Sequence, residues 1–240
     1  MNLIDIVNRI ADGIQFVDMN TSSTAINART GATYGLGVPA MAERTTVKEI
    51  SHWWQSNHKS DFGAGIELKN EVPYFHSRRN KCDIVIGQKN SNTNSWGVEV
   101  KRIQFVGNNG KNNDFNVQKI LSPYLKDRSL IHDIDRMRRD PIADRQCVIA
   151  YVFEYDFVSC KQALKQHPKE RDTIRNIEEV CGKNDPAFGV IQCDPLVQMA
   201  DHQFRTQGLV VGSAISRRSG LWRHPCGGTV SVFGWEIKHP

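Results

Sequence analysis

The residues best suited to chemistry are two acids and a lysine near the middle of the chain, Asp83, Glu99 and Lys101. Mg²⁺ binds oxygen ligands, usually one or two carboxylates together with water and substrate phosphate. A cation held in this way polarises a phosphoryl oxygen and makes water nucleophilic at neutral pH, and a neighbouring lysine can position that water. These residue types therefore predict metal-dependent hydrolysis of a phosphodiester.

Two strands of one hairpin are the elements expected to position these side chains. The acids and the lysine lie in two apolar runs, which are Cys82–Ile86 and Trp96–Phe105. Residues 88–95 between the runs are rich in Asn, Ser and Thr, which is typical of a turn. Residues on paired strands lie within reach of one another, and side chains two apart on a strand leave the same face. The hairpin would thus gather both acids and the lysine in one patch, where the backbone carbonyl of Val100 is a further candidate ligand.

The pattern Glu-x-Lys occurs three times, at Glu67–Lys69, Glu99–Lys101 and Glu236–Lys238, so context must choose among the copies. The first copy has only Asp61 upstream, and the glycines between them leave no room for a paired strand. The last copy has Asp201 as its nearest upstream acid, far back in the chain. The middle copy alone follows an acid on an apolar run. That acid lies in a run too apolar for a surface strand, and a buried acid usually has a partner or a role.

In this strand–turn–strand context, Asp83 followed by Glu99-x-Lys101 resembles the PD-(D/E)xK nuclease superfamily, which includes many restriction endonucleases. The resemblance covers roughly residues 45–155, and Cys82 stands where the family has proline. It implies a mixed central β-sheet flanked by helices, a homodimer, and Mg²⁺-dependent cleavage of double-stranded DNA to 5′-phosphate and 3′-hydroxyl ends, with Mn²⁺ as a substitute metal. The two acids would hold the metal, and the lysine would orient the attacking water.

A further acid often comes from an earlier helix in this superfamily, and two residues are candidates for it. Glu49 is favoured, because it lies on a helix predicted to begin at Thr45 or Thr46. Glu71 is the alternative, because it closely precedes Pro73 and the first strand of the hairpin. The sequence leaves both open.

Basic and amide side chains around the predicted site are candidates for nucleic-acid contacts. Arg and Lys bind phosphates, and Asn can read the edge of adenine. The candidates precede the first strand, occupy the Asn- and Gly-rich loop after the second strand, or follow that loop, and they are Arg78, Arg79, Lys81, Asn109, Lys111, Asn112, Asn113 and Lys119. The alternative for the loop asparagines is ordinary turn formation.

The remaining pattern predicts a mixed α/β protein. Helical spacing of apolar residues predicts helices over 3–18, 46–58, 116–125, 129–139 and 161–182. In the helix over 129–139, Asp133 and Arg136 are assigned to the polar face. The continuous apolar run 146–153 predicts a strand buried on both faces, and short strands are expected from Phe188 onward. We therefore expect one domain over 1–240, with a catalytic core at about 45–155, an N-terminal helical arm and a C-terminal strand-rich extension.

Composition sets weaker bounds on function. The net charge of +5 permits a polyanionic partner without demanding one. None of the six cysteines forms a Cys-x-x-Cys pair, and Cys82 and Cys147 lie in apolar runs that predict burial. The N-terminus does not resemble a signal peptide, and no apolar stretch approaches the ~18 residues of a membrane span. A cytoplasmic protein with reduced thiols and no membrane partner is the expectation.

The leading functional hypothesis is a type II restriction endonuclease. A DNA repair or structure-specific nuclease on the same fold is the second hypothesis, and a non-catalytic nucleic-acid-binding module is the third. Discrete bands from a defined plasmid favour restriction, whereas smearing or junction cleavage favours repair. Binding without cleavage in Mg²⁺ or Mn²⁺ favours the module.

Overall fold

The computed structural model describes residues 1–20, 37–91, 93–104, 121–124, 129–154, 193–220 and 229–238. Within these ranges six strands form one sheet, and their bounds are β1 Ile66–Pro73, β2 Lys81–Gln88, β3 Asn94–Ile103, β4 Arg145–Glu154, β5 Ile215–Gly220 and β6 Thr229–Glu236. They lie in the order β1-β2-β3-β4-β6-β5. Strands β3 and β4 are parallel, and the other neighbouring pairs are antiparallel. The sheet is therefore mixed.

Helices cover both faces of the sheet. Their bounds are α1 Leu3–Asn20, α2 Glu43–Asn57, α3 Leu130–Arg139 and α4 Cys193–Thr206. On one face, apolar residues of α1 and α2 pack against the sheet in a core that includes Ile10, Trp54 and Ile149. On the other face, α3 and α4 pack in a core that includes Ile134, Phe204 and Val148. The predicted α/β class, a mixed central β-sheet flanked by helices, is confirmed.

The centre of the sheet is its most apolar part. Every residue of β4 from Cys147 to Phe153 is buried, with alternate side chains entering the two cores. A strand covered on both faces reads as a continuous apolar run, so the prediction over 146–153 is confirmed. Its parallel neighbour β3 carries Glu99 and Lys101, so the candidate site is built on a central and largely buried strand.

The helix that leads into the sheet begins earlier than the sequence predicts. We expected Thr45 or Thr46 to cap α2, but the helix starts at Glu43 with Ala42 at the cap position. Thr46 is buried, and its hydroxyl donates to the carbonyl of Ala42, so this threonine belongs to the first turn. The earlier start places a carboxylate, that of Glu43, at the N-terminus of the helix.

Two further elements differ from the sequence prediction. No strand was expected after the glycines at 63 and 65, but β1 pairs with β2 from Ile66↔Gln88 to Pro73↔Lys81. Short strands were expected from Phe188 onward, but α4 precedes β5 and β6. In α4 the residues Leu196, Ala200 and Phe204 are buried at a spacing of four, which is the helical signal that turn-rich neighbours obscured.

Other predictions have mixed outcomes. The helix over 129–139 is confirmed as α3, and Cys82 and Cys147 are free and buried as expected. The helix predicted over 161–182 and most of that over 116–125 lie outside the described residues. No helix in the described part of the chain is long and apolar enough to cross a membrane.

Candidate active site

The site lies where β2 and β3 separate. Their pairing runs from Gly87↔Asn94 to Ile84↔Val98, which sets Asp83 across from Glu99 just beyond the last pair. Opposite residues of an antiparallel pair share a face, and the two carboxyl groups are close enough for the charge of Asp83 to raise the pKa of Glu99. The structure therefore brings together the two acids that the sequence predicts as a pair.

The carboxylate of Asp83 closes the gap that the strands leave. Its Oδ2 accepts a hydrogen bond of 2.8 Å from the backbone N–H of Val100, in place of a strand-to-strand bond. The N–H and C=O of one strand residue point towards the same neighbouring strand. The carbonyl of Val100 therefore faces the same gap as Asp83, as required of the predicted backbone ligand.

The side chain of Glu99 is held from two sides. It is only 1% exposed. Its Oε1 accepts hydrogen bonds from the hydroxyl of Tyr74, at 2.7 Å, and from Nη2 of Arg136, at 3.0 Å. The guanidinium of Arg136 also lies 5.3 Å from the centre of the Tyr74 ring. These partners fix the rotamer of the buried acid before any ligand arrives.

Lys101 projects from β3 into the same cluster and meets an acid from α3. Its Nζ lies 3.0 Å from Oδ2 of Asp133, which is fully buried. The other oxygen of Asp133 accepts a hydrogen bond from Arg136. The sequence assigned Asp133 and Arg136 to a polar helix face. The structure instead turns them inward, because each finds a partner of opposite charge in the cluster.

The electrostatics of the cluster favour the uptake of positive charge. Burial raises the pKa of Glu99 well above its usual range, and the negative charges of Asp133 and Asp83 raise it further. Burial also raises the pKa of Asp83, although Lys101 and the N–H of Val100 oppose this effect. Burial alone would lower the pKa of Lys101, but the charges of Asp133, Glu99 and Glu43 outweigh it and raise that pKa. Lys101 is therefore a stable cation, while the acids resist full ionisation.

A further acid reaches the cluster from the start of α2, and sequence reasoning missed it. The carboxylate of Glu43 accepts a hydrogen bond from the backbone N–H of Arg102. Burial raises the pKa of Glu43, the charge of Lys101 lowers it and the charge of Asp83 raises it again, so this carboxyl interacts with both residues. Acids are favoured in the first turn of a helix, so Glu43 could have been identified had the cap been predicted three or four residues earlier, at Ala42.

The two acids that the sequence proposed for this role lie further out. Glu49 is exposed on α2, in the wall of the cleft that contains Asp83. Glu71 is paired with Arg44, and its Oε2 lies 3.6 Å from Nζ of Lys81. Glu71 is thus neutralised by two cations. The assignment of a catalytic role to Glu49 or Glu71 stays a prediction.

A cleft of about 680 Å³ opens at Asp83, between α2 and strands β1 and β2. Its walls carry the cations Arg44, Lys48 and Lys81 beside the acids described above. Two further predicted residues, Arg78 and Arg79, are exposed in the connection between β1 and β2. The remaining predicted contacts lie outside the described residues, and these are Asn109, Lys111, Asn112, Asn113 and Lys119.

The available metal ligands fit a cation that completes its coordination shell with water and a substrate phosphate. Among the described residues, no group of three or more His, Cys, Asp or Glu side chains is arranged to enclose a metal ion. The cluster offers two carboxylates, from Asp83 and Glu99, and the carbonyl of Val100. Mg²⁺ is commonly bound by one or two carboxylates with water and phosphate completing its shell. The set therefore suits Mg²⁺ or Mn²⁺ better than a metal enclosed by protein ligands alone.

A scan against protein-family models finds no match to this chain, and searches of curated proteins and of solved structures also find none.

Proposed function

We propose that this chain is a Mg²⁺-dependent deoxyribonuclease of the PD-(D/E)xK type that hydrolyses phosphodiester bonds within DNA. The observation that carries the proposal is the cluster of Asp83, Glu99 and Lys101, whose charges act on one another. Asp83 also lines a cleft whose walls carry Arg44, Lys48 and Lys81 beside acids. The mixed sheet with helices on both faces agrees with what the resemblance implies. A cation bound by Asp83, Glu99 and the carbonyl of Val100 would supply a polarised phosphoryl oxygen and an activated water.

The chain's own residues orient and neutralise the reacting groups. Tyr74 and Arg136 hold the carboxylate of Glu99 in one rotamer. Because its pKa is raised, Lys101 keeps its proton at Nζ and acts as a donor that positions water and offsets negative charge on the phosphate. Arg44, Lys48 and Lys81 bind backbone phosphates along the cleft.

The biological class is proposed as a type II restriction endonuclease acting on double-stranded DNA. One such cluster cuts one strand, so cleavage of both strands at a site is most simply achieved by a homodimer. Discrete plasmid fragments with 5′-phosphate ends support restriction. Cleavage confined to junctions or damaged DNA would instead support a repair nuclease.

The test compares plasmid cleavage by the full chain and by three variants in Mg²⁺. We expect Asp83→Asn and Lys101→Ala to lower the rate by a factor on the order of 100 or more. The first change removes a charged metal ligand, and the second removes a cation that offsets negative charge on the phosphate. The matched control is Lys238→Ala, which alters another Glu-x-Lys copy at a lysine that is half exposed. Thermal melts establish that each variant is folded. Full activity in folded Asp83→Asn protein would refute the proposal.

A further inference from the structure

The connection between β1 and β2, residues 74–80, presents an exposed aromatic ring among cations. We call this segment the hairpin tip. The side chain of Phe75 is 57% exposed, and Arg78 and Arg79 are exposed beside it in sequence. The tip contains no acidic residue. Within the described part of the chain, neither arginine forms an ion pair, so folding alone does not explain this set of side chains.

The backbone of the hairpin tip is held firmly. Tyr74 is buried, and its N–H donates to the carbonyl of Asn80 at 3.1 Å. Asp140, at the end of α3, accepts from the N–H of His76 at 2.7 Å, and its other oxygen lies 2.9 Å from Nδ1 of the same histidine. Phe75 thus sits between two anchored residues. A segment whose backbone is already held loses less conformational entropy when it binds.

The hairpin tip also lies at the end of the sheet that carries the candidate active site. Lys81 follows the tip and lines the cleft, and it is two residues from Asp83, about 7 Å along the strand. At the other end of the tip, the hydroxyl of Tyr74 donates to Glu99. A polyanion in the cleft would therefore pass close to the tip.

We propose that the hairpin tip binds an exposed nucleobase, with the ring of Phe75 stacked on the face of the base and Arg78 and Arg79 on adjoining phosphates. The proposal rests on the proposed function for its class of ligand, a nucleic acid. Every base has a π face that an aromatic side chain can cover, and arginine neutralises backbone charge. The base is exposed either in a single strand or at a kinked duplex step, where apolar side chains insert.

The test uses DNA that contains the fluorescent base 2-aminopurine, as a single strand and as a duplex, with EDTA present to prevent cleavage. We expect the wild-type chain to quench the fluorescence on binding. Phe75→Ala should lose the quenching and bind roughly 5- to 150-fold more weakly, since stacking of one base is worth that factor. Phe75→Trp should retain both signals, and Phe75→Leu, which lacks a π face, should not. Met199→Ala, at a half-exposed residue of α4, is the control.

The salt dependence of binding separates stacking from charge. Arg78→Gln and Arg79→Gln should each reduce the slope of log affinity against log salt by about one unit, whereas Phe75→Ala should leave the slope unchanged. Quenching of the single strand or of the duplex identifies the source of the base. Unchanged quenching and affinity in folded Phe75→Ala protein would overturn the inference, as would a change in its sedimentation that shows the ring to contact a second copy.

The same measurements distinguish this inference from the proposed function. If the wild-type chain cuts DNA and Phe75→Ala both cuts and binds equally well, only the inference fails. If the wild-type chain binds and quenches but never cuts in Mg²⁺ or Mn²⁺, the nuclease proposal fails and the base-binding tip stands.

Discussion

At the scale of single residues, the structure separates two acids on α2 that differ in their surroundings. Glu43 is close enough to Asp83 and Lys101 for its pKa to respond to both, whereas Glu49 is exposed on the wall of the cleft. We expect Glu43→Gln to lower Mg²⁺-dependent cleavage about 10- to 100-fold, the usual effect of removing a charged neighbour of a metal site. Glu49→Gln should stay within about twofold of wild type.

Single-turnover cleavage rates measure this difference, and thermal melts show whether Glu43→Gln is folded. An inactive Glu49→Gln protein beside an active Glu43→Gln protein would restore the assignment made from sequence. The sequence indicated Glu49 or Glu71 and did not identify Glu43, because the turn of α2 that approaches β3 is set by the packing of whole elements. Asp133 illustrates the same limit. Helical periodicity places it with polar neighbours, whereas its pairing with Lys101 and Arg136 explains its burial.

At the scale of elements, local pattern predicted those parts of the fold whose own sequence is unambiguous. The β2–β3 hairpin has a turn between two apolar runs, and β4 is apolar throughout, so both were predictable. Strand β1 was not, because most of its residues are only partly buried and its alternation is weak. Its pairing with β2 comes from the tertiary fold. The candidate acids on β2 and β3 were therefore predictable, whereas their partners on α2 and α3 required the packing of whole elements.

The packing of α3 on β3 supports a prediction at this scale. A Cβ atom added at Gly97 would lie 2.8 Å from Cγ2 of Ile142 and 3.4 Å from Cε of Met137. Gly97→Ala should therefore displace Ile142, in the connection that joins α3 to β4, and destabilise the protein by about 1–3 kcal/mol. Because α3 carries Asp133 and Arg136, cleavage should also fall. Gly63→Ala is the control, since the nearest atom to its added Cβ would be Cγ1 of Ile66, at 4.0 Å. Urea titrations measure both variants, and equal stabilities would show that this interface relaxes freely.

At the scale of the whole molecule, the candidate active site should affect the pH dependence of folding. The folded protein holds protons on Glu99, Asp83 and Glu43 above the usual carboxyl range. The unfolded chain releases these protons at a lower pH than the folded chain does. This part of the stability is therefore fully present below the ordinary pKa values, 3.8 for Asp and 4.5 for Glu, and is lost as the pH rises through the raised values. Carboxyls whose pKa is lowered by partners, Asp61 and Glu236 among them, act in the opposite sense and at lower pH.

Mg²⁺ binds the ionised carboxylates, so it should restore the stability that is lost as they ionise. The rise in Tm caused by Mg²⁺ should therefore grow from pH 5 to pH 8, because binding releases protons that the metal-free site retains. Glu99→Gln should melt higher than wild type in EDTA at pH 8, by about 2–4 °C for each kcal/mol of repulsion removed, and should respond little to Mg²⁺. Glu49→Gln, at an exposed acid in the same cleft, should behave as wild type. Thermal melts at several pH values, with EDTA or Mg²⁺, provide the comparison. A Mg²⁺ effect of equal size in wild type and Glu99→Gln would mean that the ion binds elsewhere on the protein. The buried acids would then have a structural role and no role in binding the metal.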